Sequence, residues 1–96
     1  MTKEEIVAYL EDEHPSGEFI LADGFEQAFI GVVVRYGMEP VVLYDHEICI
    51  GVLMSQGMTR ENAHEYFGFN VLGAWNGPST PMFSMLGPGI LEKILS

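Results

Sequence analysis

Residues 41–75, "VVLYDHEICIGVLMSQGMTRENAHEYFGFNVLGAW", change pattern twice, and those two changes decide the fold. Val41-Val42-Leu43-Tyr44 is a β-branched and aromatic run that reads as a strand. Asp45 follows it and is a good N-cap, so "HEICIGVLMSQ" reads as a helix that stops at Gly57. Thr59 caps a second helix, expected over residues 60–75. Gly57-Met58 leaves almost no chain between them, so the two helices form a tight αα-hairpin or an elbow.

Upstream, "AFIGVVVRYG" carries three β-branched residues in a row and no helix cap. It predicts a strand over about 28–36, joined through Gly37-Met38-Glu39-Pro40 to the strand at 41–45 as an antiparallel hairpin. Both runs are apolar on both faces, so the sheet is expected to be covered on both sides, or on one side by a partner. Phe19-Ile20-Leu21 reads as a short strand or as loop, and Asp23-Gly24 as a turn. "TKEEIVAYLEDEH" predicts a first helix, with Thr2 and Glu5 as a capping box; His14-Pro15 ends it. Downstream, Asn76-Gly77-Pro78-Ser79 breaks the pattern. "TPMFSML" suits an edge strand because of Pro81. Gly87-Pro88-Gly89 is a further break, and "ILEKILS" a short amphipathic tail. The expected architecture is α+β in one domain, 1–96: a small antiparallel sheet, made of the hairpin plus one or two edge strands, packed against the αα-hairpin. Residues 1–17 form an acidic helix and turn, docked or peripheral; 18–86 form the core; 87–96 form the tail helix.

The apolar share, 48%, is high for 96 residues, because so small a body has little interior. Part of that surface is expected in a groove or a subunit interface, so a homo-oligomer, a dimer, is expected. The net charge is −10 and is uneven. Residues 1–26 hold eight acids against Lys3, and 27–96 hold six against Arg35, Arg60 and Lys93. Four basic residues make no nucleic-acid surface, and the charge repels anionic membranes. Solubility accounts for the acids; a sharper reading docks the acidic end, Glu11, Asp12 and Glu13, on a basic partner, even as an imitation of a nucleic-acid backbone. One cysteine, Cys49, allows no internal disulfide. The polar, acidic start (Thr2-Lys3-Glu4-Glu5) is no signal peptide, and no apolar run reaches membrane length. The chain reads as soluble and cytoplasmic, in a reducing compartment.

On a helix over 60–75, Ala63, Phe67, Asn70, Val71 and Ala74 share one face, at the spacing of a core stripe. Tyr66, Phe69 and Gly73 share the next, and Leu72 and Trp75 close much of the circle. A helix apolar all round is buried, in its own domain or in an assembly. Phe67, Val71 and Ala74 are therefore expected inward, and Tyr66, Phe69 and Trp75 as either core or contact residues. Asn70 needs hydrogen-bond partners if buried, and ties down a neighbouring loop or meets a ligand. Gly68 and Gly73 cost helix stability, and imply close approach of another backbone. No catalytic constellation stands out. His46 and Cys49 lie at i and i+3, but no second pair with ligand spacing follows, so no metal and no cofactor is expected. Asp45-His46-Glu47 is accounted for by capping and dipole compensation. Asp23-Gly24-Phe25 lacks every other kinase element, and there is neither G-x-G-x-x-G nor a P-loop.

"DGFEQAFIG", "RYGMEPVVLYD" and "CIGVLMSQGMTRENAHEYFGFNVLGAWNGPSTPMF" resemble a family of small tailed-bacteriophage proteins. The resemblance covers Asp23 to Phe83, about two thirds of the chain, and is densest at Glu65-Tyr66-Phe67, Phe69-Asn70, Gly73-Ala74-Trp75 and Thr80-Pro81-Met82-Phe83. It implies a phage origin and the host cytoplasm, and carries no established activity. The expectation is a non-enzymatic accessory protein that binds a host or phage protein with a basic surface, inhibiting a defence system or a nucleic-acid-handling machine. Its contacts are Glu11, Asp12, Glu13, Tyr66, Phe69, Asn70 and Trp75. The alternative is an oligomeric binder of a small ligand, such as a nucleotide signal, using Arg35 or Arg60.

Overall fold

The computed structural model describes residues 1–86 and 90–95 of the chain. Helix α1 (Lys3–Glu13) opens with the expected capping box: the Thr2 hydroxyl accepts from the Glu5 N–H, and the Thr2 N–H donates to Glu5 at 2.8 Å. Ile6 and Leu10 point into the core, so α1 is docked, and Lys3 pairs with Asp23 at 3.0 Å to fasten it to the Asp23-Gly24 turn. Phe19-Ile20-Leu21 is loop and not strand. A short 3-10 turn, Glu26–Ala28, then leads into strand β1 (Phe29–Val33).

Strand β2 (Val41–Asp45) pairs antiparallel with β1, with Val33 opposite Val41 and Phe29 opposite Tyr44. The hairpin holds, but β1 is shorter than the expected 28–36. A turn closed by the Met38 N–H on the Arg35 carbonyl begins before Gly37, so Val34, Arg35 and Tyr36 belong to the connection. A bulge separates Phe29 from Gly31, whose φ of 148° suits a glycine. It leaves Ile30 unmatched in the ladder.

Asp45 ends β2 and caps α2 (His46–Ser55), accepting from the Ile48 N–H at 2.9 Å. Gly57, at φ 102°, turns the chain. Thr59 caps α3 (Arg60–Phe67), which packs on α2. Helix α3 continues as a π-helical turn, Gly68–Leu72, and ends there; Gly73, Ala74 and Trp75 lie beyond the helix that the sequence extended to 75.

Strand β3 (Met82–Ser84) completes the three-stranded sheet in the order β1-β2-β3. The fold is α+β as expected. Its sheet, however, is mixed and not wholly antiparallel, because β3 runs parallel to β2, with Tyr44 opposite Phe83. Residues 46–81, with both helices, supply the long crossover that a parallel pair requires. Helix α4 (Ile90–Leu95) follows, with Ile94 and Leu95 exposed. The predicted Gly87-Pro88-Gly89 break and Ser96 lie outside the described residues. No described helix is long and apolar enough to cross a membrane.

The core gathers α1, the 3-10 turn with its N-cap, β2, α2 and α3: Ile6, Leu10, Phe25, Ala28, Val42, Tyr44, Cys49, Ile50, Leu53, Ala63 and Phe67. Central strand β2 is buried on both faces. Phe83 of β3 closes one side, stacking on Tyr44 at 5.7 Å and meeting Phe67 edge-on at 5.0 Å.

Candidate binding surface

Helix α3 loosens at its C-terminal end into the π-helical turn. In a regular α-helix the Tyr66 carbonyl takes the N–H of residue 70. The Asn70 side-chain Nδ2 donates to that carbonyl at 3.2 Å. The Gly73 N–H reaches back five residues to the Gly68 carbonyl at 3.1 Å, the pattern of a π-helical turn. Gly73 makes this closure possible: a Cβ there would stand 3.0 Å from the Gly68 carbonyl oxygen. At Gly68 an added Cβ would meet nothing. The close approach expected at both glycines is found only at Gly73, and the backbone that approaches is the helix's own. Asn70 likewise holds its own helix and no neighbouring loop.

The widened turn presents its apolar side chains unequally. Phe67 is buried and Val71 half-buried, as the core stripe requires. Ala74, expected inward, is exposed because the helix has already ended. Phe69 is 79% exposed, and Tyr66 and Leu72 are about half exposed. Tyr66 and Phe69 flank an open cleft with Met58, Asn62, Glu65 and Asn70. Its lining thus mixes Met58 and the two aromatics with two amides and the Glu65 carboxylate.

Trp75, 75% exposed, belongs to a different place. With Pro78, Thr80 and Met82 it forms one wall of a groove of about 130 Å³; Val33, Arg35, Met38, Glu39 and Val41 of the hairpin form the other. The cleft and the groove share no residue. A third depression, of about 190 Å³, lies between residues 20–25 and the π turn, with Asn70, Val71 and Phe83 in its lining. The groove and this depression are both smaller than the ~300 Å³ at which small-molecule sites begin.

Glu11, Asp12 and Glu13 occupy the last turn of α1, all exposed, with no basic residue beside them. They sit at the negative end of the helix dipole, where acids are unfavourable. The structure therefore divides the predicted contact residues into three groups: the acidic turn of α1, the cleft with Tyr66, Phe69 and Asn70, and the groove with Trp75.

Cys49 is fully buried, and burial pushes its thiol up to about 12, so it is a poor nucleophile. The His46 ring packs on His64 at 5.4 Å and edge-on to Phe67 at 5.0 Å. Among the described residues no cluster of three or more His, Cys, Asp or Glu side chains is placed to hold a metal ion. Glu47 is hydrogen-bonded to Arg60, at 2.9 Å through Oε2, which ties the start of α2 to the start of α3 and holds the Glu47 carboxyl below its usual range. Comparison with family models, with curated proteins and with solved structures finds no match for this chain.

Proposed function

We propose that this protein is a binding module that acts by occupying the surface of another protein, with the Tyr66–Phe69 cleft as its contact. The observation that carries this reading is Phe69: a large aromatic side chain, 79% exposed, on a helix turn whose geometry is fixed from within by Asn70 and Gly73. π-helical turns occur preferentially at functional sites, and an exposed aromatic is a typical interface anchor. The Glu65 carboxylate, the acidic turn of α1 and the net charge of −10 favour a partner with a basic surface. A nucleic-acid-handling or defence protein presents such a surface. The resemblance to small phage proteins supports that setting, with a host protein as the target and occlusion of its basic site as the mechanism.

The test is capture from a bacterial lysate with tagged wild type and with a Tyr66→Ala/Phe69→Ala variant, both checked for folding by thermal melting. Both side chains are exposed, so the variant is expected to melt with the wild type. A stoichiometric partner held by the wild type and lost from the variant is the expected result. Equal capture by both proteins, or no partner for either, would overturn the reading.

A further inference from the structure

The groove between the hairpin and Trp75 is lined by one cation and one anion among mostly apolar side chains. Fourteen acids face four basic residues in the whole chain. Lys3 is paired with Asp23, and Arg60 with Glu47. Arg35 forms no ion pair among the described residues, and it lies on the rim of this groove. Glu39 lies on the same rim, unbridged to it. The rim is therefore neutral overall, with one free charge of each sign, around a lining that is otherwise mostly apolar: Val33, Met38, Val41, Trp75, Pro78 and Met82.

We infer that this groove is the face on which a second copy of the chain docks, about a two-fold axis that sets Arg35 of each copy against Glu39 of the other. Two molecules of charge −10 repel, and they meet at least cost where the local charge is balanced. A two-fold contact is self-complementary, so one cation and one anion on a single rim satisfy each other twice. The groove offers apolar surface for such a contact: Trp75 is 75% exposed, and Met38 and Met82 about half exposed. The cleft named above shares no residue with the groove, so dimerisation leaves the proposed contact at Tyr66 and Phe69 in place, and the two readings fail separately.

Charge exchange tests this directly. The association constant is measured by sedimentation for wild type, Arg35→Glu, Glu39→Arg and the double exchange, in buffer of physiological ionic strength. Both side chains are exposed in the hairpin connection, so the variants are expected to fold as the wild type. The wild type is expected to dimerise. Each single reversal creates two like-charge contacts and is expected to weaken the dimer about tenfold or more. The double exchange is expected to restore it to within a few-fold. Glu39→Arg is the decisive variant, because it moves the net charge from −10 to −8. Overall repulsion alone would make that dimer tighter, whereas the crossed pair makes it weaker. A wild type that stays monomeric at several hundred micromolar, single reversals without effect, a tighter Glu39→Arg dimer, or no recovery in the double exchange would each overturn the inference.

Discussion

Tyr44 shows how one side chain joins distant parts of this molecule. It is almost fully buried, its ring stacks on Phe83, and its hydroxyl accepts the Ala22 N–H at 2.9 Å. It thereby fixes the loop that precedes β1. Tyr44→Phe leaves that amide without its partner and is expected to cost about 1–2 kcal/mol in denaturant unfolding. Burial raises the Tyr44 phenol above its ordinary value, and raises the Cys49 thiol to about 12. The folded chain keeps both protons after the unfolded chain has released them. Stability is therefore full at neutral pH and falls as pH rises past about 9, where an unfolded thiol ionises, towards the folded value. Cys49→Ala is expected to flatten the fall from its start, and Tyr44→Phe only the part above about 10. The same burial predicts that Cys49 resists a thiol reagent in the native protein at pH 8 and reacts once unfolded. The pairing of Tyr44 with Ala22 left no sign in the sequence, because a hydrogen bond across twenty-two positions has no local pattern. Thr2 with Glu5, Asp45 and Thr59 were legible, because a cap is made within four residues of itself.

At the scale of the element, α3 and its π turn test the account of Gly68 and Gly73. An alanine at Gly68 has helical backbone angles and open space, so Gly68→Ala is expected to gain up to about 1 kcal/mol, several degrees in melting temperature. At Gly73 the same propensity gain is opposed by a Cβ 3.0 Å from a backbone oxygen that cannot move aside. Gly73→Ala is expected to lower the melting temperature, and the difference in sign between two glycines five residues apart checks the wide turn. The core stripe through Ala63, Phe67 and Val71 was readable from spacing. The end of the helix was not, since a π closure depends on which carbonyl Asn70 and Gly73 select. That is why Ala74 was expected inward and is exposed. Helix α1 supports a prediction of the opposite kind. Replacing Glu11, Asp12 and Glu13 with Lys puts positive charge at the negative end of the dipole, so thermal stability is expected to rise modestly. If the acidic turn steers a basic partner, the same variant binds more weakly and with a flatter salt dependence. A surface that is merely solubilising would show the first effect without the second.

For the molecule as a whole, the α+β class and the strand-helix-helix order followed from local signals in residues 41–75. The direction of β3 did not. Pro81 and the apolar run Met82-Phe83 marked an edge strand, but whether it lies parallel or antiparallel depends on how far the two intervening helices carry the chain. That arrangement governs the order of assembly. The hairpin and the helix pair close over short stretches, whereas β3 must find β2 across residues 46–81, and loop closure grows dearer with length. Contacts of this range form late in folding. Until they do, Tyr44 and Phe67 lack their Phe83 cover, and the groove lacks the wall that Trp75 and Met82 provide. The newborn chain is thus expected to acquire its hairpin first and the wall formed by Trp75 and Met82 last.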